Sequence, residues 1–236
     1  MSENKVKILA ERCHWSFDAV VDQFEEHIDR SVPNYTAGHE LVCRYADFSL
    51  RDDSLVYEIG CSTGALGRRF LDWNRSRPSL RYVGLDVSPG MIETARRRGP
   101  ADPRAAYLCE DAASFEFEPC TAVFAYYVFQ FIHPAFRQAL FDELYRSLEW
   151  GGMLIMFEKV RAPDARLQDY AMQIYNDFKQ DKGFSEEEIL NKAQSLKGVL
   201  EPFSTEGNLG LMQRAGFQDI VSVYKWVCFE GWVAIK

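Results

Sequence analysis

Apolar and polar positions along this chain change their period twice. Phe17, Val20, Val21, Phe24 and Ile28 recur at helical spacing and predict an amphipathic helix over 16–30. Ser31-Val32-Pro33-Asn34-Tyr35 interrupts it, and a second helix follows to about Phe48. Short apolar runs then appear at 54–59, 81–86, 105–110, 120–127 and 152–158, with helical patterns between them at 64–75, 89–98 and 134–149. Strands alternating with helices predict a parallel sheet with crossover helices. After Lys159 the period breaks: residues 164–201 are polar with helical signals, including Ser185 placed to cap Glu186-Glu187-Glu188. Asn208 to Ala215 reads as a further helix stopped by Gly216. Two strands, 218–227 and 229–235, follow with almost no linker and must pair antiparallel. The expectation is an α/β, Rossmann-like fold: a mostly parallel seven-stranded sheet with an antiparallel final strand and a helical lid insertion. We expect one domain over 1–236, with N-terminal helices over 1–50 and the lid over 160–205.

The sharpest chemistry lies where the first strand meets the first crossover helix, at Glu58-Ile59-Gly60-Cys61-Ser62-Thr63-Gly64. Glycines in such a turn let backbone N–H groups approach a nucleotide without a Cβ clash. Asp86 closes the second strand 22 residues beyond Gly64, where a carboxylate can accept from both ribose hydroxyls. Ser88 before Pro89 reads as the cap of the next helix. Glu110-Asp111-Ala112, after the third strand, reads either as an adenine contact or as a solvated loop. Together these point to S-adenosylmethionine (SAM). A dinucleotide is the competing reading, since Ser62-x-Gly64-x-x-Gly67 approximates a dinucleotide fingerprint and Tyr175-x-x-x-Lys179 has a reductase spacing. The acid before the glycine turn and the closing antiparallel pair favour SAM.

Composition narrows the partners. A net charge of −8 argues against unaided nucleic-acid binding. No run of 18 apolar residues is present, and Met1-Ser2-Glu3-Asn4-Lys5 lacks a signal-peptide core, so a cytoplasmic protein without a membrane span is expected. Six cysteines (Cys13, Cys43, Cys61, Cys109, Cys120, Cys228) show no metal-ligand spacing and read as reduced thiols, with no metal site.

Trp15-Ser-Phe-Asp18, Arg30-Ser-Val-Pro-Asn-Tyr35, Gly60-Cys-Ser62, Asp86-Val-Ser-Pro89, Phe129-Gln-Phe131, Gly151-Gly152, Glu158-Lys159 and Asp177-Phe-Lys179 resemble the carboxy-S-adenosylmethionine synthase family. That family makes carboxy-SAM from SAM and prephenate for tRNA wobble-uridine modification. The resemblance implies a class I methyltransferase fold, SAM as cofactor and a homodimer. It carries ligand contacts onto Tyr35, Gly60, Cys61, Ser62, Asp86, Asp111 and Ala112, with Val87 where the family usually has Asn, and Glu58 and Gly64 complete the glycine loop that wraps the amino-acid end of SAM in class I methyltransferases. Two positions depart from it. The family's Asn at the end of the fourth strand falls on Tyr126, and the lid arginine that holds the extra carboxylate of carboxy-SAM falls on Ala193, flanked by Lys192 and Lys197. An arginine there makes two hydrogen bonds to a carboxylate at once. Its absence points to a methyltransferase acting on a small molecule within the family's scaffold. True carboxy-SAM synthesis and a non-catalytic SAM-binding protein are the alternatives. Tyr126 and Glu158 are the candidate catalytic groups, with Tyr127, Tyr175 and Asp177 as further pocket candidates, and His133 reads as a helix-entry residue.

Overall fold

The computed structural model describes residues 24–99 and 102–236. Residues 16–23 of the helix expected over 16–30, the Trp15–Asp18 motif and Cys13 lie outside the described residues. Two helices come first, α1 (Phe24–Ser31) and α2 (Tyr35–Ala46). Then follow β1 (Leu55–Ile59), α3 (Ala65–Trp73), β2 (Arg81–Asp86), α4 (Pro89–Arg98), β3 (Ala105–Cys109), β4 (Cys120–Tyr126), α5 (Pro134–Ser147) and β5 (Leu148–Lys159). Helices α6 (Ala165–Asp181), α7 (Glu186–Ser195) and α8 (Thr205–Ala215) precede the closing strands β6 (Asp219–Trp226) and β7 (Phe229–Ile235).

The seven strands form one sheet in the order β3-β2-β1-β4-β5-β7-β6. Strands β1 to β5 are mutually parallel, and β7 runs antiparallel to both of its neighbours. Helices cover both faces, so β1 and β4 are buried along their whole length. Side chains alternate between the two layers. Val56, Phe124, Tyr126 and Phe157 pack on the side of α2 and α3. Tyr57, Ile59, Ala125 and Met156 pack on the side of α5 and α8.

Local chemistry sets the boundaries. Ser88 accepts from Met91 N at 3.2 Å with Pro89 at the first helical position, which starts α4. Ser185 and Glu188 form a reciprocal capping box on α7. Helix α8 starts at Thr205, earlier than expected, because Ser204 accepts from Gly207 N. Strand β5 begins at Leu148, inside the span expected to be helical. A register shift between Cys120 and Ala122 pairs Leu148 with Cys120 across the bulge. Strand β4 ends at Tyr126, one residue early, because Tyr127 turns into the left-handed region (φ 61). No helix among the described residues is long and apolar enough to cross a membrane.

Candidate functional site

The order β3-β2-β1-β4-β5 reverses direction between β1 and β4, and the carboxyl ends of those strands open a crevice at that switch point. A cavity of about 780 Å³ lies there. Its walls come from the ends of β1, β2 and β4, the loop after β3, helix α1, and the α6–α7 segment.

The β1–α3 turn is built on left-handed backbone at Gly60 (φ 67), Ser62 (φ 51) and Gly64 (φ 75). Ser62 takes the middle position without a glycine's freedom, and its partners hold it there. Its N–H donates to Asp86 Oδ2 at 2.9 Å, and its hydroxyl lies 3.3 Å from Met91 Sδ. Asp86 Oδ1 accepts from Ser88 N at 2.9 Å. One carboxylate thus joins the turns after β1 and β2. Gly60, Ser62, Asp86, Val87, Asp111 and Ala112 all line the cavity, Val87 being 68% exposed. Asp111 Oδ1 caps Ala113 N at 2.9 Å.

Three tyrosines form the wall beneath α2. Tyr35 and Tyr127 stack with their ring centroids 6.3 Å apart, and Tyr126 meets both edge-on. The Tyr126 hydroxyl donates to Tyr35 O at 2.7 Å and packs so close to Gly38 that any side chain there would collide with it. Burial holds its pKa well above the usual value. Tyr126 therefore offers the cavity its ring, and its hydroxyl is unsuited to the catalytic role expected from sequence.

Other expected contacts face away from the cavity. Glu58 points into the layer under α3, where it accepts from the Tyr82 hydroxyl and from Gly67 N, and burial raises its pKa to about 8. The Cys61 side chain packs against Gly84 inside the sheet layer. Gly64 caps α3, and its N–H closes the turn onto Cys61 O at 2.8 Å. Glu158 lies on the opposite side of β5 from the tyrosines. It accepts from Phe129 N at 2.8 Å and Gln130 N at 3.0 Å, with Arg137 nearby, and burial raises its pKa to about 8. It anchors the 3-10 turn Phe129–Phe131 and touches no cavity space. Asp177 is exposed and accepts from Gln173. His133 lines the cavity and caps α5 through Nδ1 to Ala135 N.

The sequence puts Lys192 beside Ala193 and Lys179 one turn after Tyr175, and it does not show that they and Lys159 share one wall on the α6–α7 side. Lys159, Lys179 and Lys192 all face the cavity. The Lys159 and Lys179 ammonium groups sit 4.6 and 4.4 Å from the Tyr175 ring centroid. Lys192 Nζ lies 2.6 Å from His27 Nε2 and 3.2 Å from Ser31 Oγ. The one-turn spacing of Tyr175 and Lys179 was the available signal, since it puts both on one helix face. Ala193 lines the same wall.

The residues present fit SAM. An open crevice ends on a glycine turn, an acid at the end of β2 lines it, and small side chains line the mouth beside Asp111.

Comparison with known proteins agrees with this geometry. A profile described as a methyltransferase domain matches residues 56–152. A carboxy-S-adenosyl-L-methionine synthase from Staphylococcus epidermidis is 32% identical over 224 residues, 94% of this chain and 97% of that one. The protein of the same name from Desulfotalea psychrophila is 34% identical over 92% of this chain and 89% of its own length. That from Campylobacter jejuni is 35% identical over 94% of each. Among solved structures, Haemonchus contortus phosphoethanolamine N-methyltransferase 2 in complex with SAM superposes with a TM-score of 0.66 at 17% identity, over 93% of this chain and 57% of that one. Human N-acetylserotonin methyltransferase in complex with SAM gives 0.55 at 15% identity, over 93% of this chain and 58% of that one. The chain thus spans little more than half the length of these two structures, and at such identity they share its fold alone. The relatives of 32–35% identity cover nearly all of it, and on that basis the chain belongs to the carboxy-S-adenosyl-L-methionine synthase family, on the SAM-binding class I methyltransferase fold.

Proposed function

We propose that the protein is a SAM-dependent methyltransferase acting on a small-molecule acceptor enclosed between the strand ends and an α6–α7 lid. When bound, SAM supplies an electrophilic methyl group on a sulfonium. The chain's part is to bind, orient and exclude water. Asp86 accepts from the ribose hydroxyls, the backbone at Gly60 and Ser62 holds the amino-acid end, and Asp111 meets the adenine. Tyr35, Tyr126 and Tyr127 wall the cavity and offer no ionisable oxygen near neutral pH, since burial raises the pKa of all three.

The observation that carries this reading is Ala193. It lines the cavity at the place where the family resemblance puts a carboxylate-binding arginine. Loss of one partner from a buried charge pair costs about 2–5 kcal/mol, equivalent to at least about 30-fold in affinity. Carboxy-SAM synthesis from SAM and prephenate is the second reading. The lysines around Ala193 favour it, because they too can receive an anion. Calorimetric titration of wild-type protein and A193R with SAM and carboxy-SAM separates the two. We expect wild type to bind carboxy-SAM no more tightly than SAM, and A193R to gain about 30-fold for carboxy-SAM. A wild-type protein that already holds carboxy-SAM far more tightly than SAM contradicts the methyltransferase reading. The same resemblance implies a homodimer, which light scattering on the purified protein tests.

A further inference from the structure

A second cavity, of about 220 Å³, lies between α1, α2 and the start of α3, and Tyr35 lines both it and the larger crevice. The polar groups on its walls are unevenly satisfied. Glu25 accepts from the Thr63 hydroxyl and from Arg68, each at 2.7 Å, and from Arg98 at 3.0 Å. Arg68 also donates to Thr63 O at 2.6 Å. Asp29 is exposed and accepts from the Thr36 hydroxyl at 2.8 Å. Arg69 differs from these. Among the described residues its guanidinium makes no hydrogen bond, and the carboxylate that pairs with it, Glu40 at 3.6 Å, is held by Arg44 at 2.7 Å. His39 borders the same cavity and is only 4% exposed, and among the described residues its Nε2 has no hydrogen-bond partner. Burial and the Arg69 charge push its pKa down to about 3, so the ring is neutral at pH 7.

A buried polar atom without a partner is costly, and native structures leave few of them. A guanidinium with free donors matches the two oxygens of a carboxylate. The space far exceeds one water's share of about 30 Å³ and suits a small organic ion. Both acids on the walls already take donors and Arg68 is engaged, so one cation is left over. The fit is to a single negative charge.

The walls of this cavity also support the larger one. Glu25 and Arg68 hold Thr63 inside the β1–α3 turn. The His39 ring meets Tyr35 and Tyr126 edge-on, with centroids 4.7 and 4.8 Å away. A ligand that orders one side of these shared groups lowers the ordering cost of a ligand on the other. By linkage the effect is reciprocal.

We propose that the cavity between α1, α2 and α3 is an effector site for a small carboxylate monoanion, held by Arg69 and His39, and that its occupancy raises the affinity for SAM. The second half rests on the reading of the larger crevice as a SAM site.

Calorimetric titrations of the full chain with propionate and with propionamide, its neutral isostere, test this, each with and without S-adenosylhomocysteine. We expect propionate to bind and propionamide to bind at least about tenfold more weakly. Saturating propionate raises the affinity for S-adenosylhomocysteine by about fivefold or more. R69Q weakens propionate binding by about tenfold or more and abolishes the coupling. Its affinity for S-adenosylhomocysteine without propionate stays within about twofold of wild type. The Arg69 side chain is 37% exposed, so the melting temperature of R69Q stays within about 2 °C. H39F keeps a ring against the two tyrosines, removes Nε2, and weakens propionate by about threefold or more. K179Q, in the larger crevice, leaves propionate binding within about twofold. No binding of propionate, or binding that is lost in K179Q and kept in R69Q, overturns the site. Binding that depends on Arg69 but leaves the affinity for S-adenosylhomocysteine unchanged overturns the coupling. Failure to bind S-adenosylhomocysteine under any condition overturns the SAM reading instead, and propionate binding lost in R69Q then still supports the site.

Discussion

Replacing Asp86 with alanine lowers the affinity for S-adenosylhomocysteine by about 100-fold or more, read by calorimetry at constant pH. The carboxylate does two jobs at once. Its Oδ2 takes the Ser62 N–H and its Oδ1 takes the Ser88 N–H, both at 2.9 Å, which ties the β1–α3 turn to the β2–α4 turn. The residue also lines the cavity, where our reading of the site puts the ribose. Hydrogen bonds to a charged group contribute about 1.5–3 kcal/mol each, so if Asp86 takes the two ribose hydroxyls as proposed, its loss removes about 3 kcal/mol or more. Ser62 also loses the partner that holds it at φ 51, a conformation that favours glycine. D86N, which keeps one acceptor oxygen, falls between wild type and D86A. An affinity for D86A within about threefold of wild type would mean that the nucleoside binds elsewhere.

Replacing Glu158 with alanine costs stability rather than chemistry. The side chain is buried and satisfies two backbone donors, Phe129 N and Gln130 N, beside the Arg137 guanidinium. Truncation leaves the two buried N–H groups without their acceptor, a loss of about 3–5 kcal/mol, while Arg137 keeps its backbone acceptors Ile132 O, Gln130 O and Glu201 O. At about 2–4 °C per kcal/mol for a chain of this size, the melting temperature falls by roughly 6–20 °C. Turnover per folded molecule, assayed well below the melting temperature, stays close to wild type. A variant with unchanged melting temperature and a rate reduced by about 100-fold or more would restore Glu158 as a general base.

The contrast between Asp86 and Glu158 shows what a linear reading can and cannot resolve. The strands were legible because both faces of the sheet are covered, so each central strand appears as an apolar run. The glycine turn and Asp86 were legible because their roles depend on chain position: the end of a parallel strand faces the crevice whatever surrounds it. Glu58 and Glu158 also sit at strand ends, but their roles depend on which way the side chain leaves the sheet. Phe157 and Tyr126 take the side toward α2, and Glu158, next along β5, takes the other. Glu58 shares a side with Val56 and turns under α3 toward Tyr82. An acid beside a glycine turn looks the same in sequence whether it meets a ligand or a tyrosine.

The convergence of the lysines is hidden for the opposite reason. Lys159, Lys179 and Lys192 lie on three separate elements, and only the packing of α6 and α7 over the strand ends brings them together. The left-handed Tyr127, which ends β4 and places its ring against Tyr35, has no sequence signature either, because the pattern favours glycine or asparagine there.

The account stands most directly on the fate of the SAM methyl group. Purified protein is incubated with SAM carrying a 13C-labelled methyl, a pool of small candidate acceptors, and separately with prephenate, and the products are read by mass spectrometry. The account predicts S-adenosylhomocysteine in equal amount to a 13C-methylated acceptor, with both lost in D86A. Retention of the labelled carbon on sulfur, in a product heavier than SAM by one carboxylate, would contradict it and make the protein a carboxy-SAM synthase.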